Sequence, residues 1–144
     1  MEIRFFRGRY RALSNFYPCS LEWEGLVYPT TEHAYQASKT TEVRLRRAVR
    51  DLATPGDAKR FGGALSLRPG WDEMKLGIML ELLRRKFAQP TFRELLLGTG
   101  DAQLVEGNTH GDRFWGQVDN VGENHLGRLL MQVRNEIRNE KSKV

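Results

Sequence analysis

The chain has 144 residues, of which 23 are Lys or Arg and 18 Asp or Glu, for a net charge of +5, with 40% hydrophobic and 28% charged residues. This length and balance predict a single soluble domain over 1–144 with its own core, without a long low-complexity segment. No apolar run approaches the roughly 20 residues of a membrane span.

The first residues, MEIRFFRGRY, mix charge with aromatics and lack the apolar segment and cleavage site of a secretory leader, so a cytoplasmic location is expected. Cys19 is the only cysteine, which rules out an intramolecular disulfide. With His33, His110 and His125 it shows no paired ligand spacing, so neither a metal nor a cofactor is expected.

In chain order, "EIRFF" and "LEWEGLVYP" alternate polar with apolar or aromatic residues, which predicts short strands near 2–7 and 20–28 with a loop, "RALSNFYP", between them. Pro29 closes that β region. Thr30 is a candidate N-cap for a helix over 31–39, with Glu32 in its first turn. A second helix is expected over 41–52. A third opens at "TPGDAKRFG", with Thr54 as cap, Pro55 at the first helical position and Asp57 three residues after the cap, and ends at Gly62 and Gly63.

Trp71, Met74, Ile78 and Leu82, together with Leu76, Met79, Leu83 and Phe87, predict a long helix over 71–88 buried around much of its circumference and stopped by Pro90. "TFRELLLGTG" predicts a short helix and "AQLVEG" a strand, followed by a loop through "NTHGDRFWGQVDNVGEN". Leu126, Leu129, Leu130, Val133 and Ile137 keep helical spacing in a last helix over 125–139. The sum is an α+β fold, mainly α-helical, with a small N-terminal or central β-sheet.

The basic residues concentrate in "RLRRAVR" and "LRRK". Solvated helix faces explain most of them, although a basic balance also suits phosphate-bearing partners, from a sugar phosphate to nucleic acid.

Within "PTTEHAYQASK", Glu32, Gln36 and Lys39 fall at i, i+4 and i+7, one stripe of a helix flanked by Tyr35. At 1.5 Å per residue the Glu32 and Lys39 Cα atoms would be roughly 10 Å apart, within reach of one small molecule held between their side chains. A glutamate in a first turn and a lysine in a last turn also complement the helix dipole with no further role. Spacing alone leaves both readings open.

Seven strings in order, "LSNFYP", "YPTTEHAYQASK", "ATPGDAKRFGG", "LRPGWDEMK", "LRRKF", "LVEGNTHGDRFWG" and "GENHLGRLLMQVR", resemble the YbiA-like or NADAR family from about Leu13 to Arg134. The resemblance implies the YbiA-like fold and an N-glycoside hydrolase. Family members cleave the ribosylamine bond of early riboflavin intermediates or remove ADP-ribose from guanine in nucleic acid. In both substrates an exocyclic amine carries the sugar, and its lone pair can open the ribose ring to an imine.

The family motif implies Glu32 as the proton shuttle and Lys39 as a Schiff-base nucleophile or a cation beside the opened sugar. It also points to Asn15, Glu106 and Trp115 as substrate contacts. Phe16, Tyr35, Gln36 and Trp71 stand beside them, with core packing as the other reading for the aromatics. Asp112 either contacts substrate or caps a turn, and Asn124 either caps the last helix or borders a phosphate site at its N-terminus.

Lys59, Arg60 and Arg68 are candidate phosphate contacts near the glycines that break the third helix. Two departures from the family pattern, Gly63 where many relatives carry arginine and "QVDNVGE" in place of a glycine- and lysine-rich loop, remove possible anion contacts. The expected partner is a phosphorylated ribosylamine or ADP-ribosylated guanine, with nucleic acid as its carrier in the second case and no membrane. The alternative from another class is a non-catalytic module that binds ADP-ribose or nucleic acid.

Overall fold

The structure is a computed structural model and describes residues 1–142. Among them are six α-helices, one 3-10 helix and four short strands, an α+β fold dominated by helix. The chain divides into two compact units, one formed by Asn15–Lys86 and the other by Met1–Ser14 with the chain from Phe87 onward.

In the Asn15–Lys86 unit, the strand expected over 20–28 is a hairpin, β2 (Pro18–Trp23) antiparallel to β3 (Leu26–Thr30), with Leu21 opposite Tyr28 and Trp23 opposite Leu26. Glu24 and Gly25 at its turn have φ of 47° and 88°, the doubly left-handed geometry that matches the twist of a two-residue hairpin and suits a glycine. Cys19, Leu21, Trp23, Tyr28 and Thr30 are buried, so one face of the hairpin is apolar at the period of two that strands impose. Pro29 lies inside β3 and does not terminate it.

Helix α1 (Thr31–Ala37) follows without a connecting loop, and every one of its residues is buried. The Thr30 hydroxyl accepts from the His33 backbone N–H at 3.1 Å and lies 2.7 Å from His33 Nδ1, while His33 Nε2 lies 3.0 Å from the Leu52 carbonyl. Burial lowers the His33 pKa, and a neutral ring that donates from Nε2 and accepts at Nδ1 satisfies both contacts. At the other end the Ser38 hydroxyl donates to Ala34 O at 2.8 Å and accepts from Trp23 Nε1 at 2.9 Å. This short helix is therefore pinned at both ends, as it has to be, because seven residues cannot hold a helix in water by propensity alone.

Around α1 pack α2 (Val43–Arg50), α3 (Pro55–Gly63) and α4 (Trp71–Lys86). Thr54 caps α3 as its sequence predicts, accepting from Asp57 N at 3.1 Å with Pro55 in the first turn. Gly62 and Gly63 are the last two residues of α3, as expected, with Ala64 as the C-cap.

In the other unit, β1 (Glu2–Ile3) pairs in parallel with β4 (Gln103–Leu104), both shorter than expected. A 3-10 helix (Gly8–Leu13) replaces the first part of the expected loop. Pro90 opens α5 (Pro90–Gly98) at its first position, where its missing N–H costs nothing. The last helix, α6 (His125–Ser142), buries Leu126, Leu130, Val133 and Ile137, and Leu129 is half-buried. Arg134 on α6 is buried and donates to Thr99 Oγ1 at 2.8 Å and Ala102 O at 2.9 Å, so it anchors α6 to the turn after α5. Among the described residues no helix is long and apolar enough to cross a membrane.

The Thr30 clamp generates a test. Thr30→Ala removes an N-cap and a buried hydrogen bond to His33, and should lower unfolding free energy by roughly 1–3 kcal/mol in urea denaturation.

Candidate active site

Glu32 enters the site because β3 runs directly into α1. The Glu32 N–H donates to the Asn15 carbonyl at 3.1 Å, so the loop before β2 is hydrogen-bonded to the first turn of the helix. Glu32 is 8% exposed, and the Gln36 side-chain amide one turn later donates to its Oε1 at 2.8 Å. The sequence expectation that Glu32 and Gln36 share a stripe holds.

Lys39 departs from the expectation in one respect. The helix ends at Ala37 with Ser38 as its C-cap, so Lys39 lies just beyond the helix, its N–H donating to Gln36 O at 3.2 Å. The Ser38 hydroxyl and Trp23 close the helix two residues early, an effect of tertiary packing that spacing does not reveal. The Arg68 N–H donates to the Lys39 carbonyl at 2.8 Å, and Arg68 Nη1 donates to Ser38 O at 3.4 Å.

The half-buried Lys39 ammonium lies 5.8 Å over the Tyr35 ring. Its pKa is lowered, first by burial; the Glu32 carboxylate opposes that shift, and the ammonium groups of Lys75 and Lys59 reinforce it. Glu32 and Lys39 thus share one electrostatic environment, and part of the lysine population is unprotonated nearer to neutral pH than an exposed lysine allows.

The wall facing α1 comes from α4. Trp71, 5% exposed, packs on Tyr35 at 5.3 Å between ring centroids with a 52° tilt. Two turns along the same helix face, Met79 receives the Asn15 side-chain N–H at 3.5 Å. Lys75 lies between them at i+4 from Trp71, and it belongs to the site although sequence reasoning passed over it. The signal was available, because Trp71, Lys75 and Met79 repeat at intervals of four.

Asn15 is buried, and its side-chain Oδ1 has no hydrogen-bond partner among the described residues. A buried amide acceptor in that state suits a sugar hydroxyl or an N–H of a base. Phe16 beside it is 44% exposed. Gln36 packs against Gly62 of α3, where a Cβ would overlap its amide.

The weaker phosphate candidates separate. Lys59 is exposed and close enough to act on Lys39. Arg60 is exposed and paired with Asp57 on the surface of α3. Arg68 positions the Lys39 main chain.

Glu106, Asp112, Trp115 and Asn124 form a second group, in the other unit. Asp112 closes a turn, its Oδ1 accepting from the N–H groups of Phe114 at 3.1 Å and Trp115 at 2.9 Å, while Asn108 Oδ1 accepts from its own N–H at 3.0 Å. That turn stations the half-buried Trp115 edge-on to Phe114, with ring centroids 4.9 Å apart. Asn124 precedes α6, and its carbonyl accepts from Arg128 N at 3.0 Å. Its side chain does not cap the helix. At φ 54° it bridges instead, donating to Leu104 O at 3.0 Å and accepting from the Glu106 N–H at 3.0 Å. Asn124 therefore fixes the backbone that carries Glu106, a role that long-range pairing creates and local sequence cannot announce.

Comparison with known proteins places this architecture. A family model for the NADAR domain matches residues 4–138. The chain is 39% identical over 136 residues to the N-glycosidase YbiA of Shigella boydii, covering 92% of this chain and 84% of that one. It is 40% identical over 148 residues to an N-glycosidase of Nostoc punctiforme, covering 96% and 94%. It is also 40% identical over 129 residues to a riboflavin biosynthesis protein of Vibrio vulnificus, covering 87% of this chain but only 35% of that longer protein. The NMR structure of YbiA from Escherichia coli superposes with a TM-score of 0.87 at 34% identity, covering the whole of this chain and 88% of that one. The chain belongs to the NADAR domain family.

Proposed function

We propose that this N-glycosidase hydrolyses a bond between ribose and the exocyclic amine of a base, with Glu32 moving the proton and Lys39 attacking the sugar. The observation that carries the reading is a lysine of lowered pKa sharing its surroundings with a buried carboxylate. Drawing both groups out of water costs free energy, and perturbed titratable groups gathered in one setting are a mark of sites of chemistry.

The steps follow from the groups. The lone pair of the exocyclic nitrogen forms a C=N bond to the anomeric carbon as the bond from that carbon to the ring oxygen breaks, and the protonated Glu32 carboxyl delivers its proton to that oxygen. The neutral Lys39 amine adds to the same carbon, and the base departs as its free amine after a proton returns to it. That leaves a lysine Schiff base with the open sugar. Water adds to this imine, the amine is released, and the sugar aldehyde closes again. The net change is addition of one water across the N-glycosidic bond. Gln36 holds one Glu32 oxygen throughout, and the Asn15 carboxamide oxygen is suited to accept from the substrate.

Two substrates fit this chemistry: a phosphoribosylamino-pyrimidine intermediate of riboflavin synthesis and ADP-ribosylated guanine in nucleic acid. The Vibrio vulnificus relative, named for riboflavin biosynthesis, supports the first. The net charge of +5 supports an anionic substrate of either kind. A parallel assay for released ribose 5-phosphate and released ADP-ribose separates them, and release from neither would refute the reading. A purely binding module is the lesser reading, since the named relatives are N-glycosidases.

Glu32→Gln keeps the shape of the side chain and removes its proton transfer, so turnover should fall by roughly 10²–10⁴-fold with ligand affinity retained. Borohydride should trap a sugar adduct on the wild type and none on Lys39→Ala, as read by intact mass. An absent adduct on the wild type would limit Lys39 to electrostatics.

The lowered Lys39 pKa also sets a sign for stability. A lysine that is harder to protonate in the folded state makes the unfolded chain bind more protons between the folded pKa and about 10.4, so its contribution to stability improves as pH rises through that window. Lys39→Met should therefore be more stable than the wild type at pH 7, by a margin that shrinks towards pH 10 in thermal unfolding, while being inactive. A variant less stable than the wild type at pH 7 would contradict this reading.

A further inference from the structure

We propose that Gln36, oriented by Gly62, is a positioning residue that confines the transferable proton of Glu32 to the carboxylate oxygen that Gln36 does not hold. The inference rests on the proton-transfer role proposed for Glu32, and it concerns which of two chemically equal oxygens does that work.

Gln36 is 4% exposed, and its Nε2 donates to Glu32 Oε1 at 2.8 Å, one turn back along α1. An oxygen that already accepts this N–H cannot also carry a proton aimed at the same donor, because two hydrogens would then face each other across a hydrogen-bond distance. While the amide keeps its orientation, the neutral acid therefore has its O–H on the other oxygen.

Gly62 keeps the amide from turning over. Gln36 Oε1 is buried and has no hydrogen-bond partner among the described residues, so no N–H or O–H fixes it. A Cβ built on Gly62 would stand 1.9 Å from that oxygen and 2.7 Å from Gln36 Cδ. The Cβ would replace one Cα hydrogen, so a Gly62 C–H bond points at the carbonyl oxygen; from any other direction an oxygen so close would overlap the Cα itself. Such a C–H···O contact favours an acceptor at this place. Turned over, the amide would press its NH2 on the same C–H and leave buried N–H groups without an acceptor, a rarer and costlier state than an under-used carbonyl. It would also set Gln36 Oε1 against Glu32 Oε1 whenever the acid is ionised.

The two glycines that end α3 are therefore not equivalent. Gly63 has open space where a Cβ would stand, whereas Gly62 is buried against the amide. Glycine is a poor choice within a helix unless another backbone or side chain must come this close. Gly62 sets the amide, the amide occupies one Glu32 oxygen, and the proton given to the ring oxygen of the sugar leaves from the other. After delivery the Gln36 N–H stabilises the charge that remains on the carboxylate.

Infrared spectroscopy and kinetics on the full chain test this. The carbonyl stretch of protonated Glu32 is the band that Glu32→Gln removes from acid-minus-neutral difference spectra. Gln36→Met keeps the length of the side chain without the N–H, and it should move that band to higher wavenumber, since the carbonyl oxygen loses its donor. On whichever of the two proposed substrates is turned over, Gln36→Met should lower kcat by roughly 10–100-fold with KM nearly unchanged. The limb of its pH profile on which Glu32 loses its proton should move to higher pH, because the donor that favours the charged form is gone. Gly62→Ala should show the same band shift and the same loss, while Gly63→Ala, the same change of residue in open space, should leave both unchanged.

Where Gly62→Ala does not fold, the band and pH profile of Gln36→Met decide the proposal. An unmoved carbonyl band in Gln36→Met would place the proton on the oxygen facing Gln36 and overturn it, as would full activity of that variant or wild-type behaviour of Gly62→Ala. The two readings fail separately: turnover of neither substrate strikes the hydrolysis reading, whereas the band is read without substrate. Absence of a Glu32 acid band at every pH at which the chain is folded would overturn both.

Discussion

Withdrawal of Glu32 from water organises the Asn15–Lys86 unit. A carboxylate 8% exposed is costly unless its oxygens and its backbone are occupied. The Gln36 amide holds one oxygen, and the Asn15 carbonyl takes the backbone N–H. Both demands are met only if the helix begins at Thr31, directly off β3. The Thr30 hydroxyl and the His33 ring fix that start, and the Ser38 hydroxyl and Trp23 fix the end. The hairpin, the cap and the early stop of α1 can be understood as one solution to the problem of keeping a charge-bearing turn in the interior.

Lys39 gains from the same solution. Because the helix stops before it, its main chain is held from outside by Arg68, and its half-buried ammonium feels the charges of Lys75 and of the exposed Lys59. Burial is what lowers the Lys39 pKa first of all; the Glu32 carboxylate opposes that shift, and the charges of Lys75 and Lys59 reinforce it. On the proposed function, the arrangement gives up stability for an amine that can attack the sugar, a common compromise at sites of chemistry.

Much of this was legible in the sequence and some was not, for physical reasons. The caps at Thr30 and Thr54, Pro55 in the first turn of α3 and the apolar stripe of α6 are local signals, and each appears where it was read. Pro90 was legible as a boundary, but it opens the next helix as well as following α4. The hairpin was missed although Glu24-Gly25 lay in the middle of the expected strand, a turn signal outweighed by the run of aromatic and branched residues. Asn124 was read as a cap because it precedes a helix, yet its amide is used by Leu104 and Glu106, some twenty residues upstream. Glu32 and Gln36 could be placed on one stripe by counting, but the burial that gives them their chemical character comes from α3 and α4, which counting does not reach.

The contact between Gly62 and Gln36 constrains how this site can vary. Only a hydrogen atom fits at that point of α3, so the helix can approach the amide that steadies the carboxylate only while that position has no side chain. A side chain placed on α3 at this spot would therefore displace the amide that is hydrogen-bonded to Glu32. The exposed Phe16 can change size without touching that contact, whereas a change of charge at Lys59 or Lys75 is felt by Lys39.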